Sequence, residues 1–446
     1  MYSLLIKHFF KSKIVVLAFG ILMVLGFLSI GTGKQFLTQK QEVIAKAKIE
    51  QKKHIKIQTN LHKNDLGLLL YYLKFSYINP VSSLAGISIG QSDLNSHIQN
   101  VTILNLEGQK YNTDLVNPMR LLVGNLDISF LIIFLFPLII IALNFNILSE
   151  EIEKGTWKMI TIQGKSSFNF LLKKFSIRIG FVFIILGLLF LFAKIILEIS
   201  FSVNFLKIII ISYLYISFWF AICFFVIMFR KSSNTNAIVL LCSWLLLVVF
   251  LPVLANNYIT NKYPVDEAFT MTIKQRDGYH KKWDTDKKET LDKFYAHYPQ
   301  FSDYKLQEKG FSWLWYYAMQ QMGDDESKKE SNSLREKILK REKLSKQIAQ
   351  FFPPMQTQLV MNDIAGTSLT NHISFLNATT EFHEKLRLEF YPKIFDKNSA
   401  NSVNWNNFTP EVYKKNSSTS WVKNILPITI ITFLLLLFGI IKLRKI

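Results

Sequence analysis

The sequence predicts an all-α, polytopic membrane protein with six transmembrane helices and a mainly helical extracytoplasmic domain. Three observations predict it. Half of the 446 residues are hydrophobic. They gather into six apolar blocks, each near the roughly 20 residues that cross a bilayer as a helix. The short segments between the blocks carry their Lys and Arg on one side only.

The predicted spans are Ile14–Ile30, Asp127–Leu148, Ile177–Leu197, Ile208–Met228, Ala237–Leu254 and Ile425–Ile441. The chain then divides as follows. Residues 1–13 form a cytoplasmic interfacial segment and 14–30 the first span. Residues 31–126 form the first extracytoplasmic part. Residues 127–254 hold spans two to five, with a cytoplasmic loop at 149–176. Residues 255–424 form the second extracytoplasmic part, and 425–446 the sixth span with a basic tail.

Orientation comes from the short loops. Lys7, Lys11 and Lys13 precede the first span. Lys154, Lys158, Lys165, Lys173, Lys174 and Arg178 follow the second. Arg230 and Lys231 follow the fourth, and Lys442, Arg444 and Lys445 end the chain. With six spans all four groups share one side, the cytoplasm, and both termini lie there. The membrane is then expected to be the bacterial cytoplasmic (inner) membrane. The exit from the first span, Gly31-Thr32-Gly33-Lys34-Gln35, lacks a small-x-small cleavage site, which favours a retained span over a signal peptide. Met1–Lys13 reads either as an interfacial amphipathic helix or as a plain basic flank.

The long polar stretches read as helical. Residues 35–58 have no Gly or Pro and place Phe36, Val43, Ile44, Ala47 and Ile55 at helical spacing, so the first span continues outward. Residues 65–77 form a second apolar helical piece, broken after Asn79-Pro80. An aromatic helix covers 311–322 and a charged one 327–352, stopped by Pro353-Pro354. Another runs over about 369–390, ending before Pro392. The outer domain is expected to pack the 35–77 helices against those of 265–395.

Charge and chemistry exclude several classes. The net charge of +20 could suit nucleic acid, but no such motif occurs and the membrane blocks account for the chain, so no nucleic-acid partner is expected. Cys223 and Cys242 fall inside spans and read as small packing residues, not a disulfide. The histidines have no metal-ligand spacing. His383-Glu384 reads as solvated on a charged helix, and Met319 and Met322 as a core face. The segment ending Gly33-Lys34-Gln35 imitates a phosphate-binding loop but lacks the following Ser/Thr and the first Gly. Lys194 and Asp127 sit near span ends. Asn144 and Asn146 lie at the inner end of span two, and Pro137 should kink it.

The most informative stretch is Glu150-Glu151-Ile152-Glu153-Lys154-Gly155-Thr156-Trp157-Lys158, directly after the second span. A charged half-turn breaks at Gly155 and an amphipathic piece returns to the membrane. The spacing resembles the Glu-x-Glu-x-Gly-Thr motif of ABC type-2 permeases. Trp157 departs from it, standing where that motif usually has Leu. More of the chain resembles a bacterial branch of these permeases that carries a domain of unknown function with large extracytoplasmic helical insertions. The resemblance rests on Gly90, Gln91, Asp93 and Leu94. It rests too on Asn117, Pro118, Leu121, Gly124, Asn125 and Asp127 at the entry to span two, and on Lys274 to His280, Trp283-Asp284 and the aromatic run from Trp313.

The resemblance implies a permease subunit of an ATP-driven exporter. A second permease, identical or paralogous, would pair with it, and separate cytosolic ATPase subunits would press on the 150–158 segment. ATP and Mg2+ would sit on those subunits, with no cofactor on this chain and no enzymatic activity of its own. An extracytoplasmic protein is a further partner the reading allows. The alternative is a membrane-anchored receptor or scaffold whose outer helical domain binds a ligand or partner. Such a sensor usually feeds a sizeable cytosolic output domain, which this sequence does not contain.

Overall fold

The computed structural model describes residues 2–110, 125–163, 167–265, 283–306, 310–414 and 421–444. The chain opens with α1 (Tyr2–Lys11), α2 (Lys13–Leu61), α3 (Leu66–Tyr72) and strands β1 (Phe75–Ile78) and β2 (Ile98–Val101). Then come α4 (Ile128–Glu153), α5 (Thr156–Gln163), α6 (Ser167–Ile196), α7 (Val203–Ile227) and α8 (Ser233–Lys262). The polar part resumes with α9 (Lys287–His297), α10 (Trp313–Ala349), α11 (Pro353–Ala365), α12 (Leu369–Phe395) and β3 (Glu411–Val412), and α13 (Trp421–Arg444) closes the chain. Among the described residues, six helices are long and apolar enough to cross a membrane: α2, α4, α6, α7, α8 and α13.

Helix α2 runs unbroken for 49 residues because nothing in it stops a helix: Gly but no Pro, and Lys, Gln, Glu and Ala through its polar half. It is roughly 70 Å long against about 30 Å of hydrocarbon, so it leaves the bundle as a rod. The loop-like Gly31-Thr32-Gly33 lies inside this helix. Gly33 faces the carbonyl of Gly86, where a Cβ would leave no room, so the glycine serves close packing. Side chains start the next helices: Asp65 accepts from the N–H of Leu68 at 2.9 Å, Ser202 from Phe205 at 3.3 Å and Ser232 from Thr235 at 3.3 Å.

Two membrane helices bend at prolines. A proline lacks the N–H and pushes on the carbonyl four residues back. Ahead of Pro137 and Pro252 the helix widens into π-turns at Leu131–Leu135 and Leu245–Phe250. The carbonyl of Ile133, which Pro137 leaves without its helical donor, accepts the hydroxyl of Tyr215 at 2.8 Å. The indole of Trp244 donates to Phe134 at 3.2 Å.

The protein has two cores. One joins the six apolar helices, and Leu84, Ile87, Ile89, Val360, Met361 and Ile364 from the polar stretches belong to it. The other lies in a separate lobe, where Leu69, Phe75 and Val101 of the first stretch pack with Phe294, Tyr317 and Phe390 of the second. The hydroxyl of Tyr317 donates to the carbonyl of Gly67 at 2.8 Å, tying the two stretches together. Each ring buried this way contributes roughly 2–3 kcal/mol.

Four expectations need correction. The lobe is mainly helical but not all-α: β2-β1-β3 form a small sheet, with Phe75 opposite Val101 antiparallel and Tyr77 opposite Glu411 parallel. Residues 75–77, expected as the end of a helix, belong to the strand Phe-Ser-Tyr-Ile; its aromatic and branched side chains suit a strand buried on both faces. Helix α12 does not stop before Pro392 but runs through it to Phe395. Near a helix end the ring frees only the carbonyl of Leu388, and Leu388 is itself exposed. His383 is not solvated. It is buried, with Nε2 2.8 Å from the carbonyl of Leu104.

Candidate functional site

The described motif residues fall into two places, at opposite ends of the membrane helices.

The first is the bend between α4 and α5. Gly155 takes φ +74, a left-handed conformation open to glycine without strain, and its missing Cβ would meet nothing. The chain therefore reverses here between α4 and the short helix α5. The acidic side chains turn to their own neighbours. Glu150 accepts from Lys154 at 2.5 Å and from Asn146 at 2.9 Å. Glu151 pairs with Lys174 at the start of α6, and Thr156 donates to its carboxylate. Glu153 accepts from the N–H and hydroxyl of Ser233 at 2.7 and 2.9 Å, so it caps the start of α8. Ser149 meets the same Ser233 at 2.8 Å. Trp157 packs half-buried against the membrane core, and Lys158 is exposed.

This wiring fastens the end of α4 to the starts of α6 and α8. The exposed Lys154–Glu150 pair adds little stability, about 0–1 kcal/mol, while the partly buried Lys174–Glu151 pair and the Glu153 cap fix position. Among exposed charged side chains such as Glu153, Lys154 and Lys158, the bend also leaves three apolar ones in the open: Ile152 is 40%, Met159 58% and Ile162 83% exposed.

The second place is a buried junction between the bundle and the lobe. Gly90 takes φ +52, and here a Cβ would come within 2.9 Å of Asn362 and Thr367. The N–H of Gln91 donates to the carbonyl of Thr367 at 3.2 Å. Asp93 accepts from Asn125 at 2.7 Å, and Leu94 follows in the same turn, its N–H on Gln91 at 3.2 Å. Asp127 starts α4. One of its oxygens accepts from Ile89 N–H at 2.8 Å, and the other from Phe130 N–H and the Ser129 hydroxyl, both at 2.7 Å. Asn117, Pro118 and Gly124 lie outside the described residues, as do Leu121, Lys165 and 274–280.

Helix α11 joins this junction and was not expected from sequence. It packs against α4, α7, α8, α13 and the 83–86 turn. Its Asn362 accepts from Ser88 at 2.6 Å and from Gln358 at 3.0 Å, and Thr367 donates to the carbonyl of Ser88 at 2.9 Å. A start-and-stop signal was there to be read: Pro353-Pro354 at the start and left-handed Gly366 at the end. Next to α11, the wide turns of α4 and α8 frame an apolar cavity of about 250 Å³, lined by Ile133, Phe134, Val248, Pro252 and Leu359. On the lobe side, Arg387 pairs with Asp324 at 2.8 Å and donates to the carbonyls of Ile103 and Leu104 at 3.1 and 2.8 Å. Asp324 in turn accepts from the N–H of Leu106 at 2.7 Å. This buried pair locks the first stretch onto α10 and α12.

The remaining sequence candidates are accounted for locally. Asn144 is buried and donates to the carbonyl of Ile140 at 2.7 Å. Lys194 lies over the ring of Phe201. Cys223 is buried, Cys242 exposed, and both are free thiols. Among the described residues no group of His, Cys, Asp and Glu could hold a metal ion.

These features define a helical membrane protein with a folded polar lobe. A family model described as a domain of unknown function (DUF3526) matches residues 268–412, a stretch that takes in α9 to β3 of the lobe. No curated protein and no solved structure matches the chain.

Proposed function

We propose that this chain is the permease subunit of an ATP-driven, type-2 ABC exporter-like transporter in the bacterial inner membrane. In this reading both termini and the bend at 149–163 are cytoplasmic, and the lobe is extracytoplasmic. A second permease, a copy or a paralogue, pairs with it, and two separate cytosolic ATPase subunits supply the power. The single observation that carries the reading is the bend. Its carboxylates fasten three membrane helices to one another, while Ile152, Met159 and Ile162 offer an apolar surface to a partner. A push delivered there would be shared by α4, α6 and α8 at once. The chain itself is expected to bind no nucleotide and to catalyse nothing.

A second reading is favoured by α11, which touches the wide turns of α4 and α8 and belongs by sequence to the lobe. Motion of α4 and α8 would reach the lobe through it. The machine would then move force to an outer partner in place of a substrate.

Co-expression and co-purification with a candidate cytosolic ABC ATPase test the exporter reading. Replacing Glu153→Lys and Gly155→Val together should leave insertion intact, weaken ATPase binding and reduce ATP turnover in the complex. Unchanged binding and turnover would remove the main support for the reading. Topology is checked separately, with single cysteines at Ser166 and Ser331 in a background lacking Cys223 and Cys242. An impermeant thiol reagent applied to intact cells should not label the first. Ser331 is buried against Glu107, so its labelling is read after mild unfolding of the lobe.

A further inference from the structure

A cavity of about 330 Å³ opens between α1, the start of α2, the end of α4 and the start of α6. Its charged lining is Glu150, Glu151, Lys154, Lys174 and Arg178. The two carboxylates are taken by the two lysines, Glu150 by Lys154 and Glu151 by Lys174. Three cations less two carboxylates leaves one positive charge over, and the geometry assigns it to Arg178.

Arg178 makes no hydrogen bond or ion pair among the described residues, and its Nε is sealed from solvent with no partner. Its guanidinium sits 5.9 Å from the ring centre of Phe9, which covers it without offering an acceptor. An arginine cannot shed its proton. Arg178 is half-buried and feels the charge of Glu150, but Glu150 is already bonded to Lys154 and gives the guanidinium no hydrogen bond, so its donors are left to an outside acceptor. The fork of a guanidinium suits the oxygens of a phosphate.

The position says how such a group arrives. Helix α1 has no buried residue, and it leaves Leu4 and Phe10 mostly exposed beside the membrane helices while Phe9 packs on Phe181. Apolar exposure on one short basic helix at the end of a bundle fits a segment lying in the bilayer interface. The cavity beneath it therefore opens where lipid headgroups are.

We infer that this cavity is a binding site for a phosphate group, carried by an anionic phospholipid of the adjoining leaflet and held by Arg178. The inference does not depend on which leaflet this is, nor on an ATPase partner. It places a lipid against Glu150, Glu151 and Thr156, and so makes the set of the bend responsive to the membrane's composition.

The test uses the full-length protein, purified and delipidated in a zwitterionic detergent, with thermal unfolding followed by tryptophan fluorescence. Dihexanoyl phosphatidylglycerol, dihexanoyl phosphatidylcholine and inorganic phosphate are titrated separately. The expected result is a rise in the unfolding midpoint with phosphatidylglycerol, a smaller one with phosphatidylcholine and none with millimolar phosphate. An equal rise with inorganic phosphate keeps the phosphate site but overturns the lipid as its carrier. Arg178→Met should unfold without ligand at or above the wild-type midpoint, because a buried donor without a partner is gone. It should also need at least about tenfold more phosphatidylglycerol for the same shift. If Arg178→Met does not fold, Arg178→Lys should weaken the half-saturating concentration while keeping the charge. A phosphatidylglycerol response that is absent in the wild type, or unchanged in the variant that folds, overturns the site.

Discussion

Gly90 and Gly155 have nearly the same backbone and opposite surroundings. Both are left-handed, at φ +52 and +74. A side chain added at Gly155 would point into open space, whereas one added at Gly90 would press on Asn362 and Thr367. The same contrast holds around them. The bend is held by carboxylates that keep contact with water, Glu153 fully and Glu150 and Glu151 in part. The junction is held by buried donors and acceptors, Asp127, Ser88 and Asn362 among them. Polar groups buried together are expensive to disturb and exposed ones are not. One end of the bundle is built to be adjusted, and the other to hold.

Substitutions can break this comparison, and the largest effect should come from Asp127→Ala. It leaves the buried N–H of Ile89 and the donors at Phe130 and Ser129 without an acceptor, and should cost about 4 kcal/mol in denaturant unfolding. Gly90→Ala combines left-handed strain with crowding and should cost about 3 kcal/mol. Loss of no more than 1 kcal/mol in both would show that the junction is as loose as the bend.

Acid should separate the two ends as well. His97 is buried beside the Gly90 turn, with Nε2 3.0 Å from the hydroxyl of Ser92 and Nδ1 3.3 Å from the carbonyl of Asn79. Burial pushes its pKa down to about 4, with Lys40 and His372 adding to the effect. Between pH 6.5 and 4 the unfolded chain then binds a proton that the folded one refuses. Stability due to His97 is complete above 6.5 and falls as pH drops through that window, by on the order of 1 kcal/mol per unit. Unfolding followed at pH 7, 6 and 5 in wild type and His97→Gln checks this. The variant should have the shallower slope, and equal slopes would remove His97 as the cause.

At the bend the effects on stability shrink while those on assembly should not. Gly155→Ala carries backbone strain alone, about 1 kcal/mol. Glu153→Gln keeps an acceptor for Ser233 and should change stability by less than about 0.5 kcal/mol. Either should still be measurable in ATPase binding if the bend is the docking surface. A Gly155→Ala protein destabilised as much as Gly90→Ala would erase the difference between the two glycines.

Much of this was legible in the sequence, for physical reasons that can be named. Apolar runs marked all six long helices, because a bilayer demands length and composition together. The unbroken Lys/Gln/Ala stretch marked the extension of α2, and Pro353-Pro354 the end of α10. The bend announced itself through glycine and charged spacing, the Gly90 turn only through the resemblance that Gly90, Gln91, Asp93 and Leu94 carry. What stayed hidden depends on partners far away in the chain. Phe75 and Tyr77 suit a strand, but β1 needs Glu411 and Val412 beside it, more than 300 residues away, and that neighbourhood does not advertise a sheet. His383 reads as solvated among Glu and Lys until Leu104 covers it. Helix α11 looks polar, yet Gln358 and Asn362 meet the junction and Gln356 donates to the carbonyl of Asn424, while Val360, Met361 and Ile364 enter the membrane core.

The uninterrupted course of α2 has a mechanical consequence. A helix of this length bends little, so its two ends must move as parts of one rod. A tilt of about 5° about its membrane end would carry its far tip roughly 6 Å, given some 1.5 Å of rise per residue. Gln51 near that tip holds the lobe, donating to the carbonyl of Phe408 at 3.1 Å and accepting from Ser76 N–H at 2.7 Å. A shift too small to open a gap among tightly packed membrane helices would thus become, some 40 Å away, a stroke as large as a side chain.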